Sequence, residues 1–196
     1  MGFFDALFGR TKVTSGKTDP LFQFQLSTVA LDIESQLSSV FAGRAALVLR
    51  SVDNAAYDAV EKELHDVLQV GGRDLPVAAT SHTDNMGFHW MVYQASEIED
   101  VINALHLTAE MIQESGYGDS LLASMIAFDH QNQARSRDGR WYLIYSYRRA
   151  AFYPFVPKTG KNRDVAFEFR LAQTLKTSLK VEADQERWYA LWNPPL

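Results

Sequence analysis

Histidine is the residue type in this chain best suited to catalysis or metal binding, because the 196 residues include no cysteine. His82 and His89 flank one predicted turn and His130 follows a predicted strand, so each could act as a ligand or a general base. None of the five histidines belongs to an H-E-x-x-H motif or has another histidine three or four positions away. We therefore expect no catalytic residue, no metal and no cofactor. A small-ligand binder or enzyme that uses His82, His89 or His130 is an alternative.

Motifs for hydrolysis and nucleotide binding are also missing from the sequence. It contains no G-x-S-x-G, G-x-x-x-x-G-K-[ST] or G-x-G-x-x-G pattern. The only similar stretch, Gly116-Tyr117-Gly118, follows a predicted helix, where glycine serves to end the helix. These absences favour a protein that binds over one that catalyses.

Arginine and aromatic residues are mixed between residues 135 and 163, and this mixture is the strongest positive feature of the sequence. Protein interfaces favour both residue types as anchors. Two other interpretations stay open: a strand that buries its aromatic side chains while the arginines pair with acidic helices, or stacking on unpaired RNA bases. The sequence pI of about 5.5 argues against nucleic acid as a partner. The predicted partner-binding residues are Arg148, Arg149, Phe152, Tyr153 and Phe155.

The charge is divided along the chain. Residues 19–134 contain 4 basic and 17 acidic residues, a balance of −13, whereas residues 135–180 contain 11 basic and 3 acidic residues, a balance of +8. The two segments could neutralise each other within one fold. Alternatively, the second segment forms a basic face that attracts an acidic partner or an anionic surface.

The first residues of the chain form one apolar stripe if they are helical. Two helical turns are not stable alone in water, so we expect this segment to dock on its own domain, on a partner or at a membrane interface. A polar link follows, which predicts an N-terminal segment at residues 1–18 and a single domain at residues 19–196. The stripe consists of Phe3, Phe4, Leu7 and Phe8.

The sequence predicts a cytoplasmic protein. No run of about 18 apolar residues is present that could span a membrane as a helix. The N-terminus does not look like a signal peptide, because Asp5 interrupts its apolar stretch. The absence of cysteine is typical of a reducing compartment. Peripheral contact with the inner face of the membrane through the N-terminal helix stays open.

Hydrophobic periodicity predicts strands in adjacent runs, with helices between the runs. Strands are expected at residues 45–52, 75–80, 87–94, 121–129, 141–147 and 150–156. A strand is also favoured at residues 28–33, which could instead extend a helix predicted before them. Helices are expected at residues 53–69, behind a capping box of Ser96 and Glu99, and from Asn162 or Asp164 to Lys180. The first turns of the last helix could be extended instead, and its expected inward residues are Val165, Phe169, Ala172, Leu175 and Leu179. This order predicts an α+β fold, in which an antiparallel β-sheet has its helices packed mainly on one face.

Three stretches of the sequence together carry a family resemblance. They are MGFFDALFGR at residues 1–10, the pair WYLIY and FYPFVP at residues 141–145 and 152–157, and ERWY with LW at residues 186–192. On these stretches the chain resembles the PspA-associated protein PspAB family of phage-shock envelope-stress systems in actinobacteria and archaea. The stretches span nearly the whole chain, and none of them is a catalytic signature.

The resemblance implies an α+β fold similar to YbjN or secretion-chaperone domains and a cytoplasmic protein that works beside PspA. It implies two partners, PspA, which is a coiled-coil protein that coats stressed membranes, and an HtpX-like membrane metalloprotease. It supplies no enzymatic activity and no site residue. The resulting hypothesis is a non-enzymatic adaptor or regulator of a membrane-stress response. A chaperone-like protein that binds client segments is a further alternative.

Overall fold

The computed structural model describes residues 29, 33–50, 62, 76–131 and 139–196. Its strands are β1 (Ser39–Arg50), β2 (Ala78–Thr83), β3 (Phe88–Gln94), β4 (Leu121–His130), β5 (Arg140–Ser146) and β6 (Ala151–Phe155). They form one sheet in the order β2-β3-β1-β4-β5-β6, and all neighbours are antiparallel. Two longer helices are α1 (Ile98–Glu114) and α2 (Val165–Leu175), and β7 (Pro157–Lys158) pairs with β8 (Asn162–Arg163). The predicted α+β class is confirmed.

Alternate side chains of the strands fill two hydrophobic clusters, one on each face of the sheet. On the first face, Leu47 and Tyr93 belong to a cluster that includes the inward residues of α1 and α2. On the second face, Met125 belongs to a cluster with Trp188 and Leu191 of the C-terminal segment. The helices therefore lie mainly on one face, and the aromatic end of the chain packs on the other.

Strand β6 forms one edge of the sheet, a position where the missing N–H of Pro154 is tolerated. The Phe152 amide donates to the Lys180 carbonyl at 2.8 Å, and the Glu182 amide donates to the Phe152 carbonyl at 2.9 Å. These bonds form an isolated parallel bridge between Phe152 and Val181. The chain that follows α2 is thus held beside β6.

The turn between β2 and β3 is closed by Asp84. Its carboxylate accepts hydrogen bonds from the Met86 amide at 2.8 Å, the Phe88 amide at 3.0 Å and the Trp90 indole N–H at 2.9 Å. Gly87 adopts a φ of 81°, which glycine tolerates without strain. The predicted turn is confirmed, and the Asp84 carboxylate accepts hydrogen bonds from two backbone N–H groups that follow it.

Two local predictions are wrong. Residues 33–37 are helical where a strand was expected to end, because Val29 and Ile33 are four positions apart and both are 1% exposed in the same cluster. The expected capping box does not form, since Glu97 is the N-cap of α1 and no side chain caps it. The N-terminal segment 1–18 lies outside the described residues. So does the predicted helix 53–69, apart from Lys62, which is helical.

Candidate functional site

Basic residues of the second half of the chain lie along the β6 edge of the sheet. They belong to the turn between β5 and β6, the turn between β7 and β8, helix α2 and the segment that follows it. All of them are exposed or half-buried. We call this set the basic surface, and it consists of Arg148, Arg149, Lys161, Arg170, Lys176 and Lys180.

Arg148 and Arg149 lie in the tight turn that joins β5 to β6. The Arg149 amide donates to the Ser146 carbonyl at 3.1 Å and closes the turn. Tyr147 anchors it, because its hydroxyl shares a hydrogen bond of 2.9 Å with Ser124 Oγ. Burial raises the pKa of the Tyr147 hydroxyl, which therefore stays neutral. The backbone that carries both arginines is fixed in place.

The basic surface extends along the whole of β6. Lys180 lies at the same end as the arginine turn, because its carbonyl accepts the amide of Phe152, three residues after Arg149. At the other end of β6, the Asp164 amide donates to the Val156 carbonyl at 2.9 Å, just before α2 begins. Helix α2 therefore runs beside β6 from one end to the other.

Glu168 holds α2 against the sheet although it is an ionisable side chain in the core. It is 1% exposed, and its Oε1 accepts the Val156 amide at 2.8 Å and Arg163 Nε at 3.0 Å. Arg163 Nη1 also donates to the Trp188 carbonyl at 2.6 Å, which ties the helix to the C-terminal segment. Burial raises the pKa of Glu168, although the Arg163 guanidinium opposes this change.

The first turn of α2 is capped by Asp164. Its side chain accepts the Phe167 amide at 3.0 Å and forms an ion pair of 2.8 Å with Lys158. The hydrogen bond from Lys158 lowers the pKa of Asp164, so the cap is charged at neutral pH. Of the two residues that the sequence offered as the start of this helix, Asn162 and Asp164, the second is the cap.

The outer side of α2 is both apolar and basic. Val165 is 58% exposed and Phe169 is 49% exposed, and their spacing of four residues makes them neighbours on the helix. The guanidinium of Arg170 lies 5.1 Å from the centre of the Phe167 ring. We call this side the α2 outer face, and it consists of Val165, Ala166, Phe169, Arg170 and Lys176, all exposed.

The prediction that Val165 and Phe169 face inward is wrong. The buried residues of α2 are Glu168, Leu171, Ala172 and Leu175. The spacing of Leu171, Leu175 and Leu179 was the signal for the true inward stripe, because a residue three positions before Leu171 shares its face. The inward positions predicted for Ala172, Leu175 and Leu179 are confirmed, whereas Glu168 and Leu171 are buried where Val165 and Phe169 were expected.

Some cations of this region are neutralised within the fold, and others are not. Lys158 pairs with Asp164 at 2.8 Å, and Arg163 pairs with Glu168 at 3.0 Å. In the part of the chain that the structure describes, no acidic side chain forms an ion pair with five further cations. These are Arg149, Lys161, Arg170, Lys176 and Lys180. Internal neutralisation, the first interpretation of the divided charge, thus accounts for only part of the basic segment.

The three aromatic residues predicted as partner anchors belong to the core. Phe152 is 4% exposed, Tyr153 is 3% exposed and Phe155 is 0% exposed. The Tyr153 hydroxyl donates to the Tyr189 carbonyl at 3.2 Å, and the Phe155 ring centre lies 5.2 Å from that of Trp192. This burial corrects the hypothesis for these three residues, since a partner can reach the arginine turn but not these rings.

Comparison with known proteins identifies one relationship. A family model described as PspA associated protein B matches residues 1–196. The chain belongs to the PspAB family. No curated protein and no solved structure matches the chain. The family resemblance noted in the sequence is therefore confirmed, whereas the expected likeness to YbjN or secretion-chaperone domains is not.

The histidines of this PspAB chain do not share one site. His82 is exposed on edge strand β2, and His89 is 8% exposed on the adjacent β3. His130 ends β4 opposite Ser39, whereas His89 lies opposite Leu49 at the far end of β1. At about 3.3 Å per residue, roughly 30 Å separates the two ends. Within the described ranges, no group of three His, Asp or Glu side chains could hold a metal ion.

Among the helices that the structure describes, none has the length and apolar character needed to cross a membrane. The predicted docking stripe of Phe3, Phe4, Leu7 and Phe8 lies outside the described residues, so its proposed contact with a partner or a membrane stays a prediction.

Glu168 predicts a pH dependence of stability. Burial raises its folded-state pKa above the ordinary value of 4.5, so the folded protein keeps this proton at pH values where the unfolded chain has lost it. As the pH rises from 4.5 through the raised pKa, the wild type should lose stability that Glu168→Gln does not lose. Urea unfolding of both proteins at a series of pH values measures the difference. A difference that moves in favour of the wild type as the pH rises would contradict the prediction.

Proposed function

We propose that this PspAB-family chain is a non-enzymatic adaptor that binds PspA through its basic surface. The observation that carries the proposal is a set of five cations beside β6 with which no described acidic side chain forms an ion pair, in a chain with a formal net charge of −5. These are Arg149, Lys161, Arg170, Lys176 and Lys180. An acidic surface on a partner would complement these charges and speed its association. The family description, PspA associated protein B, supports PspA as that partner.

Arginine is well suited to such a contact. Its guanidinium is charged at every physiological pH and can bind a carboxylate with two parallel hydrogen bonds. Arg148 and Arg149 are half-buried in a turn that Tyr147 holds in place. A partner therefore meets a backbone that is already ordered, which lowers the entropic cost of binding.

The setting of this adaptor is a membrane-stress response in the cytoplasm, at the inner face of the membrane. An HtpX-like membrane protease is the second proposed partner. The apolar stripe of Phe3, Phe4, Leu7 and Phe8 is proposed to dock on a partner or at the membrane interface. These elements of the proposal come from the family relationship and from the sequence of the first ten residues.

The chaperone-like alternative requires an open apolar sheet face that could accept a client segment. In the described part of the chain, the exposed large apolar side chains are Met86, Val165 and Phe169. Met86 lies in the turn between β2 and β3, and the other two lie on α2. None of them belongs to a sheet face, so this alternative has no support in the described surface.

Replacing Arg148 and Arg149 together by glutamate is expected to weaken the binding of purified PspA by about tenfold or more. The change reverses two charges at one end of the basic surface, so the effect should become smaller as salt screens the contact. Isothermal titration calorimetry at low and at physiological ionic strength measures both the affinity and its salt dependence.

A matched control is Arg44→Glu with Lys62→Glu. It makes the same change in net charge at two exposed positions, one on β1 and one beyond the end of that strand, neither of which belongs to the basic surface. Equal weakening by both double variants would show that net charge, not the basic surface, governs binding. Early thermal unfolding of the Arg148 and Arg149 variant would show that these arginines are structural. Failure of the wild type to bind PspA would overturn the proposal as a whole.

A further inference from the structure

We infer that the α2 outer face binds an amphipathic helix of a partner protein, with an apolar centre and acidic flanks. The inference rests on the proposed function, because it names the kind of segment that would complete the basic surface. It adds an apolar contact to what the proposed function treats as an electrostatic one.

The apolar part of this contact is a ridge formed by Val165 and Phe169. Single exposed apolar residues are ordinary on protein surfaces. Here two of the three large ones in the described part of the chain, at 58% and 49% exposure, occupy successive turns of one helix. Ala166, which is also exposed, lies beside them. A ridge of residues spaced four apart is the shape that fits the groove of a second helix.

Cations both precede and follow this ridge along the chain. Lys161 precedes α2, and Arg170, Lys176 and Lys180 follow the apolar pair along the chain. No acidic residue in the described ranges forms an ion pair with any of these four. A partner segment that covers the ridge must therefore place acidic side chains near both of its ends.

The outer face is held rigidly before any partner arrives. Glu168, on the opposite side of α2, is bonded to the Val156 amide at 2.8 Å and to Arg163 at 3.0 Å. Asp164 caps the first turn through the Phe167 amide at 3.0 Å. A partner helix therefore loses little affinity to ordering this surface.

The dimensions of the face match a short helix. At about 1.5 Å per residue, the face from Val165 to Lys176 is roughly 16 Å long, which equals about three helical turns. Apolar residues spaced three or four apart on the partner would contact Val165 and Phe169. Acidic residues beside that stripe would lie near Arg170 and Lys176.

Other occupants fit this face less well. A second copy of α2 would place Arg170 and Lys176 against like charges. The chain's own N-terminal stripe is followed by Arg10 and Lys12, which carry the same sign as the face. A membrane is also a poor occupant, because a helix that binds at a membrane interface has a wider apolar stripe than the one formed here by Val165, Ala166 and Phe169.

The test uses a synthetic helix of about 20 residues, with leucines spaced three and four apart and glutamates elsewhere, labelled with a fluorophore. Fluorescence anisotropy measures its binding to the full-length chain.

Val165→Ser with Phe169→Ser is expected to weaken binding by about tenfold or more, because the apolar contact is lost while every cation remains. Met86→Ser is the matched control, since Met86 is 52% exposed but lies away from α2, and it should leave binding unchanged.

Three outcomes would overturn the inference. The first is equal binding of a peptide in which lysine replaces every glutamate. The second is tighter binding of vesicles made of phosphatidylglycerol than of the acidic peptide, with the same loss in the serine variant, because the face would then be a membrane contact. The third is a tenfold tightening of peptide binding by Phe3→Ser with Phe4→Ser in the full chain, because those residues would then occupy the face.

The outcomes for this inference and for the proposed function can be told apart. If the Arg148 and Arg149 variant loses PspA while the Val165 and Phe169 variant keeps both PspA and the peptide, the adaptor function stands and the inference fails. If the chain binds the acidic peptide through α2 but does not bind PspA, the inference stands and the proposed function fails.

Discussion

Replacing Trp141 by alanine is expected to lower the free energy of unfolding by about 3–5 kcal/mol. Trp141 is 0% exposed near the start of β5, and its ring stacks on Phe128 with 4.7 Å between the ring centres. Its indole N–H donates to Ser39 Oγ at 3.0 Å, which joins β5 to the start of β1. Alanine would leave a large cavity in the cluster that Trp141 shares with both helices, and Ser39 Oγ would lose its donor. Urea unfolding followed by circular dichroism measures the loss.

The matched control for this prediction is Trp141→Phe. Phenylalanine keeps a ring that can stack on Phe128, but it loses part of the indole volume and the hydrogen bond to Ser39, whose hydroxyl also donates to the Leu37 carbonyl at 3.1 Å. The expected loss is therefore smaller than for alanine, by at least about 1 kcal/mol. Equal losses for the two variants would show that the hydrogen bond, not the packing of the ring, carries the stability.

Replacing Arg163 by alanine is expected to lower the free energy of unfolding by about 3 kcal/mol, because it leaves the buried Glu168 without its charge partner. Arg163 Nε lies 3.0 Å from Glu168 Oε1, and its guanidinium also lies 5.4 Å from the centre of the Phe155 ring. The variant would also lose the hydrogen bond of 2.6 Å to the Trp188 carbonyl. Thermal and urea unfolding near neutral pH measure the effect.

A double variant separates the charge from the packing. Arg163→Met with Glu168→Gln removes both charges, keeps an oxygen to accept the Val156 amide, and fills most of the space of the arginine stem. It should recover most of the stability that Arg163→Ala loses. If the double variant is as unstable as the single one, the lost contacts with Phe155 and Trp188 explain the effect. Because this pair holds α2, Arg163→Ala should also weaken binding at the α2 outer face.

The strands with strong sequence signals were predicted well. The continuous apolar run at residues 45–52 lies almost wholly in β1, and the aromatic run at residues 141–147 lies almost wholly in β5. Pro154 restricted its strand to a sheet edge or placed the proline at the end of the strand, because proline has no N–H to donate to a neighbouring strand, and β6 is an edge strand. In each case the signal comes from residues next to one another in the sequence, so it does not depend on contacts with distant parts of the chain.

The orientation of side chains on these elements was harder to predict. Phe152, Tyr153 and Phe155 looked like partner anchors because arginines surround them in the sequence, yet all three are buried. The reason is that both faces of β6 are covered, one by residues of α2 and the other by the C-terminal segment with Trp188. A sequence does not show which strand will be covered on both faces, because the covering residues come from distant parts of the chain.

The amino-acid sequence by itself determined the α+β class, the antiparallel pairing of adjacent strands, the place of the turns and the basic character of residues 135–180. These follow from local periodicity, turn residues and charge. Only the tertiary structure decided which cations are neutralised and which side of α2 faces outward. That side depends on Glu168, whose burial is stable because Val156 and Arg163 supply hydrogen bonds from outside the helix. Without those partners, Phe169 would be the better core residue, and the binding face proposed here would not exist.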